Sequence, residues 1–270
     1  MTERDAGRRG GRAPHRRGFL AAALPLAGFA LSGCDRVSNA PRARALLGAA
    51  NALTYRVQRF ILGAHRLASE YSEAEISPEF RANGSTDPQD DEYLDLADKE
   101  FADWRLKIDG LVERELSFSL ADLRALPSRT QITRHDCVEG WSCIGKWTGV
   151  PLTEILSRAG VKPQARFVVF HCADTLNDGS LSDDAESIRY YESIDLADAD
   201  HPQTILAYEM NGKKLDIAHG APLRLRLERQ LGYKMAKYIM RIELVRSFAG
   251  LHGGKGGYWE DRGYEWYAGI

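Results

Sequence analysis

The chain has 270 residues, of which 44% are hydrophobic and 27% are charged, and its formal net charge is −2 at pH 7. Residues 1–33 contain six basic and two acidic residues, so the remainder carries a net charge of −6. This acidic balance argues against nucleic acid as a partner, and the remaining length, roughly 240 residues, is enough for one large domain with its own hydrophobic core.

The N-terminal segment has the pattern of an export signal. Arg16 and Arg17 precede an apolar run over 21–31, which is too short to span a bilayer, since a spanning helix needs ~20 residues. This pattern predicts a twin-arginine signal over 1–33. The residues ending at Cys34 resemble a bacterial lipobox, which predicts a lipid anchor at Cys34 in the periplasm or cell envelope. A leader that is cleaved nearby without lipid is the alternative. The twin-arginine route exports folded proteins, which favours a cofactor inserted before export.

Residues 34–75 are predicted to form an N-terminal helical segment, because apolar residues recur every three or four positions from Pro41 to about Ser72. This helix is interpreted as a packing helix, with a membrane-proximal spacer as the alternative. Residues 76–270 are predicted to form one α+β domain with mixed sheets, because short strand and helix patterns alternate along it.

The individual elements follow from local patterns. Ser119 is predicted to cap a short helix that ends at Leu126, and a second helix is predicted to run from Leu152 to about Ala159. The aromatic and glycine-rich tail over 250–270 is predicted to pack across the domain. Strands are predicted at 104–108, 116–118, 130–138, 166–172, 205–210, 222–227 and 238–245.

With Cys34 acylated, three thiols remain, and an odd number cannot all pair within one chain. A Cys143–Cys172 disulfide would leave Cys137 free, whereas a Cys137–Cys143 disulfide would consume it. Buried and unpaired thiols are the third alternative. The flanking histidine, aspartate and glutamate make Cys137 a candidate ligand for a soft metal.

A zinc site is an alternative use of the same thiols, although the spacing lacks the close ligand pairs of structural zinc sites. Its ligands would be His135, Cys137, His171 and Cys172. A zinc- or disulfide-stabilised lipoprotein without enzymatic activity is therefore an alternative function. The sequence has no Cys-x-x-Cys-His haem motif and no iron–sulfur spacing, so a redox function would need a separate electron carrier.

Two blocks of sequence resemble one enzyme family. The run 134–142, followed by 147–152, resembles the molybdenum-ligating cysteine segment of the sulfite oxidase superfamily. It is most similar to the periplasmic protein-methionine-sulfoxide reductase branch, which has Cys-Val-Glu-x-Trp-Ser and then Trp-x-Gly-x-Pro-Leu. The second block covers 219–224 and 232–237. The resemblance implies a sulfite-oxidase-type molybdopterin-binding fold over 76–270 without a C-terminal immunoglobulin-like domain.

The resemblance also implies a molybdenum-molybdopterin cofactor with Cys137 as the thiolate ligand of the metal, which suits the preference of such metals for soft sulfur donors. Glu139 is a candidate proton donor for oxygen-atom transfer, and a plain surface charge is the alternative. The other cofactor-binding residues that the resemblance implies are Asn83, Cys172, His219, Arg224, Lys234 and Lys237.

The implied activity is a two-electron oxygen-atom transfer, most directly the reduction of a small S- or N-oxide. Its partners would be a small-molecule oxygen-atom donor or acceptor and a separate membrane haem protein or cytochrome. Ser142 stands where sulfite oxidases carry an arginine for their anionic substrate, which argues against sulfite as the substrate. Sulfite dehydrogenase-like oxidation is therefore the alternative rather than the first hypothesis. Cys172 and His219 replace the threonine and asparagine of the reductase branch, which leaves the substrate open.

Overall fold

The computed structural model describes residues 40–63, 66–176 and 189–270. The predicted twin-arginine signal and Cys34 lie outside these ranges. The chain divides into two compact units, 1–57 and 58–270. The segment 58–75, which the sequence assigned to the helical region, therefore belongs to the second unit. Among the residues described, no helix has both the length and the apolarity to cross a bilayer.

Helices and strands alternate, as predicted for an α+β chain. The described helices are, in chain order, α1 (Pro41–Leu62), α2 (Asp91–Asp98), α3 (Leu120–Ala125), α4 (Leu152–Ala159), α5 (Leu196–Ala199) and α6 (Tyr258–Asp261). The described strands are β1 (Leu106–Gly110), β2 (Leu116–Phe118), β3 (Arg129–Asp136), β4 (Ser142–Pro151), β5 (Phe167–Thr175), β6 (Arg189–Asp195), β7 (Ile205–Met210), β8 (Lys213–Lys214), β9 (Arg224–Arg226) and β10 (Ile239–Val245). After β10 there is no further strand up to residue 270.

Two sheets organise the second unit. The first has the strand order β2-β1-β10-β5-β6, with β1 parallel to β10 and the other pairs antiparallel. The second runs β3-β4-β7-β8, and β9 also pairs with β7. All strand pairs of the second sheet are antiparallel. The largest apolar cluster contains side chains of both sheets, such as Ile242 and Leu206, which are fully buried.

Local chemistry explains several of these elements. The hydroxyl of Ser119 accepts a hydrogen bond from the Asp122 N–H at 3.1 Å, and the Asp122 carboxylate accepts one from the Ser119 N–H at 2.8 Å, which forms the predicted cap of α3. Asn211 and Gly212 both have positive φ, as a two-residue hairpin turn between β7 and β8 requires. The strand predictions at 116–118 and 205–210 are confirmed within the same bounds.

Other elements were not predicted, or differ from their prediction. Strands β4 and β6 and the short helix α5 were not predicted. The apolar side chains Leu46, Leu53 and Phe60 of α1 are exposed, and the packing role of this helix stays a prediction. The tail does pack on the domain, as predicted, because Tyr258 is buried and the indole N–H of Trp266 donates to Ser193 at 2.9 Å.

A buried ion pair at the end of β9 also contacts β3 of the same sheet. The Arg226 guanidinium donates to both carboxylate oxygens of Glu228, at 2.9 and 2.7 Å, and both side chains are completely buried. Glu228 also accepts from the Gln131 amide at 2.8 Å, and Arg226 lies 4.3 Å from the centre of the Trp147 ring. Because every strong donor of this group is used inside the protein, the pair serves the fold.

Replacing Glu228→Ala is expected to lower the free energy of unfolding by about 3–5 kcal/mol, because Arg226 would remain as an uncompensated buried charge. Urea denaturation at neutral pH measures this loss. The control is Asp103→Ala, which breaks the exposed pair with Lys99 and should change stability by less than about 0.5 kcal/mol. A loss below about 1 kcal/mol for Glu228→Ala would contradict the structural importance of the pair.

Candidate functional site

A cavity of about 150 Å³ lies where β3 ends, and several distant segments of the chain line it. Four of the predicted site residues reach this cavity: Asn83, Cys137, Glu139 and Lys237. They come from a loop before α2, the turn after β3 and the segment before β10. The fold therefore brings together residues that are up to 154 positions apart in the sequence.

A tight turn presents Cys137. The Cys137 N–H donates to the carbonyl of Trp141 at 2.9 Å, and the Gly140 N–H donates to the carbonyl of Cys137 at 3.0 Å. Gly140 has φ +86°, a conformation that a residue with a Cβ rarely adopts. The thiol is 7% exposed, and it faces the cavity rather than another sulfur. The turn thus delivers one thiol to one cavity.

Burial raises the pKa of the Cys137 thiol, whereas hydrogen bonding from the Glu139 backbone lowers it. The negative charge of Glu139 raises this pKa further, and the Arg81 charge lowers it. The protein alone thus favours the protonated thiol, although backbone N–H groups are already placed to stabilise a thiolate. A bound cation would supply the charge that makes the thiolate stable.

Glu139 lies beside this thiol at the mouth of the cavity and is exposed. Its carboxylate accepts a hydrogen bond from the indole N–H of Trp141 at 2.8 Å. The ring of Trp141 in turn lies 5.0 Å from the guanidinium of Arg81. The carboxylate is therefore held in place by a side chain of its own turn while it keeps access to water.

Arg224 has hydrogen-bond donors that no other described residue accepts from. Its side chain is completely buried, and one of its N–H groups donates to the carbonyl of His219 at 2.9 Å. Its Nε and Nη2 atoms have no hydrogen-bond partner among the residues described. Burial, followed by the neighbouring charge of Arg226, lowers the pKa of Arg224 to about 9. An anionic acceptor such as a phosphate would satisfy these two donors.

Asn83 and Lys237 add to this polar region. The Oδ1 atom of Asn83 is buried, and the described part of the chain offers it no partner. Lys237 donates to the carbonyls of Ser85 and, at 2.9 Å, Ala218. Burial and the charge of Arg224 lower the pKa of Lys237 to about 7. A cofactor with polar and anionic groups would satisfy Asn83 on the cavity wall and the donors of Arg224, which lies off that wall.

The structure does not bring Lys234 to this cavity. Its ammonium group is completely buried and donates to Glu192 and, at 2.6 Å, to Glu260. The 3-10 turn Gly232–Lys234 directs this side chain toward the core, between β6 and α6. Two carboxylates within the protein hold the ammonium group of Lys234, and its predicted contact with the cofactor stays a prediction.

Three other predicted cofactor residues, Arg224, His219 and Cys172, also lie off the cavity wall. His219 hydrogen-bonds through both ring nitrogens, to Asp216 at 2.7 Å and to the carbonyl of Phe80 at 3.0 Å. Its role in the structure is to accept the Arg224 hydrogen bond through its carbonyl group. Cys172 is 2% exposed within the main apolar cluster, and burial raises its pKa well above the usual value.

The alternative uses of the thiols are not supported. Cys137, Cys143 and Cys172 are all unpaired and buried, so neither disulfide forms. His135 contacts the Arg226 guanidinium at 3.1 Å and His171 contacts Glu243 at 2.9 Å, so the four residues of the zinc hypothesis do not converge. Within 40–63, 66–176 and 189–270, no cluster of three or more His, Cys, Asp and Glu residues could hold a metal.

Sequence reasoning missed several residues of the cavity wall. Asp174 lines it with a buried Oδ1 atom that lacks a partner in the described chain, and burial raises its pKa to about 7. Trp259 and Tyr264 line it from the tail. The enrichment of the tail in aromatic residues was a usable signal. The sequence did not indicate that these rings reach the same cavity as Cys137.

Comparison with known proteins gives a consistent result. Residues 93–249 match the family model described as oxidoreductase molybdopterin binding domain. The chain is 38% identical over 257 residues, which is 95% of its length and 88% of the relative's, to the putative protein-methionine-sulfoxide reductase subunit YedZ1 of Azospira oryzae. It is 38% identical over 144 residues to the protein-methionine-sulfoxide reductase catalytic subunit MsrP of Xanthomonas axonopodis pv. citri.

Coverage differs between these relatives. The match to the Xanthomonas protein spans 53% of this chain and 45% of that protein, so the chain covers only about half of such relatives. Among solved structures, the sulfane dehydrogenase SoxCD from Paracoccus pantotrophus is similar with 27% sequence identity and a TM-score of 0.46. That similarity covers 54% of this chain and 39% of the SoxCD chain.

Replacing Arg224→Met is expected to act in opposite directions on the two forms of the protein. The cofactor-free form should gain about 1 kcal/mol in stability, because a buried guanidinium with two unsatisfied N–H groups is removed. The molybdenum and pterin content of protein purified from cells should fall, because an anion-binding donor pair is lost. Urea denaturation and metal and pterin analysis measure the two effects.

The control for Arg224→Met is Arg241→Met. The Arg241 guanidinium donates to Asp109 at 2.7 Å and is 36% exposed, away from the cavity. This variant should keep the wild-type cofactor content. A cofactor content for Arg224→Met equal to that of the wild type would contradict the assignment of Arg224 to the cofactor.

Proposed function

The chain belongs to the molybdopterin-binding oxidoreductase family, and we propose that it reduces a sulfoxide by two-electron oxygen-atom transfer with a molybdenum-molybdopterin cofactor. Methionine sulfoxide, which the names of the relatives indicate as their substrate, is the first candidate, within the wider class of small S- and N-oxides. The activity, the substrate and the partners of the whole protein are all part of this proposal.

The observation that carries the proposal is that one unpaired thiol lines the same cavity as Asn83 and Asp174, whose buried Oδ1 atoms lack partners in the described chain. Arg224, which is not on the cavity wall, keeps two further donors without partners among the described residues. Cys137 would ligate the metal through sulfur, and Arg224 would bind the cofactor phosphate with the two donors that lack partners. Asn83 and Lys237 would contact the cofactor from the cavity wall. When bound, the molybdenum cofactor supplies two-electron redox chemistry that the side chains themselves lack.

The reaction also requires protons. A sulfoxide that takes up two electrons and two protons gives a sulfide and one water molecule. Glu139, which lines the cavity beside Cys137, would hold one of these protons at one carboxylate oxygen while the other accepts a hydrogen bond from Trp141. The second proton comes from solvent, which reaches the exposed Glu139 directly.

The proposal includes export and an external source of electrons. The twin-arginine pattern and Cys34 support export to the periplasm or cell envelope with a lipid anchor. The two electrons would come from a separate membrane haem protein or a cytochrome, since the sequence has no haem or iron–sulfur motif of its own. Labelling with a radioactive fatty acid, lost in Cys34→Ala, tests the anchor.

The function is tested with protein purified with its native cofactor and reduced by a viologen dye. Methionine sulfoxide, dimethyl sulfoxide and trimethylamine N-oxide are offered as oxidants, and sulfite is offered with an electron acceptor. We expect turnover with the sulfoxides and molybdenum near one atom per chain. Sulfite oxidation alone would overturn the proposed direction, and zinc or no metal would overturn the enzyme assignment.

Replacing Cys137→Ser is expected to lower sulfoxide reduction by about 100-fold or more and to remove the thiolate-to-metal absorption band, because the hydroxyl is a poor ligand for a soft metal. Cys143→Ser is the matched control, since Cys143 is equally buried and its thiol faces the carbonyl of Glu79 at 3.8 Å. Unchanged spectra in Cys137→Ser would show that another residue ligates the metal.

Replacing Glu139→Gln is expected to lower kcat by about 100-fold with little change in KM, because a proton donor is lost while the shape of the side chain is retained. Steady-state kinetics measure the two constants. Glu154→Gln, at a half-buried position of α4 that is not on the cavity wall, should behave as wild type. Equal kcat values for Glu139→Gln and wild type would leave Glu139 as a surface charge only.

A further inference from the structure

Two aromatic rings from the tail face the cavity, and no part of the proposed chemistry uses them. Trp259 and Tyr264 line the same cavity as Cys137 and Glu139. Their rings are stacked, with centroids 5.2 Å apart and an interplanar angle of 29°. Tyr264 also meets the ring of Tyr233, a third residue of the cavity wall, edge to face at 5.1 Å. These rings form a continuous apolar surface on one side of the cavity.

The tail is held in place by buried charge. Glu260 is completely buried in α6, between Trp259 and Asp261, and pairs with the ammonium of Lys234. Lys234 also pairs with Glu192 of β6, so that one cation joins the tail to the first sheet. A buried group of one cation and two carboxylates is costly to desolvate, and breaking such a group is strongly destabilising. This group therefore fixes the backbone that carries Trp259.

Further contacts restrain the same segment. The hydroxyl of Tyr258 donates to the carbonyl of Leu176 at 3.0 Å, next to Asp174 on the cavity wall. The Asp261 carboxylate accepts hydrogen bonds from the Gly253 and Lys255 N–H groups, both at 3.0 Å. The segment around α6 is thus attached on both sides of Trp259, which gives its ring a defined position.

We propose that Trp259 and Tyr264 form the binding surface for the apolar substituent of the sulfoxide, and that Lys234 positions this surface through Glu260. The inference rests on the proposed function and names the substrate class: sulfoxides with an alkyl or aryl group long enough to cover the stacked rings. Alkyl and aryl groups pack favourably on aromatic rings, and burial of each further methylene group adds to binding.

The inference predicts a dependence of KM on substrate size. With the holoenzyme and a reduced viologen, KM should fall along the series dimethyl, ethyl methyl, butyl methyl and methyl phenyl sulfoxide. In Trp259→Ala, KM for butyl methyl sulfoxide should rise about tenfold, whereas KM for dimethyl sulfoxide should change less than twofold, because the lost apolar contact is about that of one or two methylene groups. The molybdenum content and kcat should stay near wild type.

Two further variants separate binding from folding. Trp259→Phe keeps an aromatic surface and should restore most of the size dependence, even where Trp259→Ala folds poorly. Glu260→Gln keeps the shape of the anchor but weakens its hold on Lys234, so KM for butyl methyl sulfoxide should rise about threefold at constant kcat. Phe248→Ala is the control, since Phe248 meets the ring of Phe167 edge to face at 4.7 Å and does not line the cavity.

The outcomes distinguish this inference from the proposed function. If wild-type holoenzyme reduces no sulfoxide, the proposed function fails and this inference fails with it. If the wild type reduces sulfoxides with a KM that does not depend on size, or if Trp259→Ala retains the size dependence, the function stands and the inference is wrong. A fall of kcat in Glu260→Gln without a change in KM would contradict the positioning role of Lys234.

Discussion

The burial of positive charge is the constraint on which the structure around the cavity depends. Arg224, Arg226, Lys234 and Lys237 are all 6% exposed or less, and each must replace the water that it has lost. Arg226 does so with Glu228, Lys234 with Glu192 and Glu260, and Lys237 with two backbone carbonyls. Only for Arg224, of these four, do donors remain unsatisfied in the described chain. An anionic cofactor is the natural complement of that remaining charge.

The difference between the three paired cations and Arg224 explains how much of the site could be predicted from the sequence. The alternation of leucine and arginine over 222–227 correctly indicated that Arg224 and Arg226 share a face, and both lie over the ring of Trp147. It could not indicate which arginine is paired, because that depends on Glu228 turning back toward Arg226. Lys234 and Lys237 looked equivalent in the sequence for the same reason. Their partners are set by tertiary contacts, chiefly with Glu192, Glu260 and the carbonyl of Ser85.

The missed strands have a related physical cause. Strand β6 is buried on both faces, and two of its buried residues are polar: Glu192 pairs with Lys234, and Ser193 accepts a hydrogen bond from the Trp266 indole. The sequence of β6 therefore lacks the apolar alternation that predicts a strand. In β4 a glycine lowers strand propensity, yet a Cβ at Gly149 would lie 2.2 Å from the carbonyl oxygen of Leu206 on β7. Predictions held where a local rule decides the structure, as at the Ser119 cap, and failed where a distant partner decides it.

The unsatisfied groups around the cavity also connect the site with the predicted route of export. Among the described residues, a buried guanidinium has two donors without a partner and a buried amide oxygen has no partner, and burial raises the pKa of the Cys137 thiol. Each of these costs free energy in the folded state, and each is relieved by a ligand that brings both a cation and an anion. Binding of the proposed cofactor would therefore stabilise the folded state, and unfolding would lose this stabilisation. A route that moves folded protein across the membrane, as the Arg16 and Arg17 pattern predicts, preserves this stabilisation.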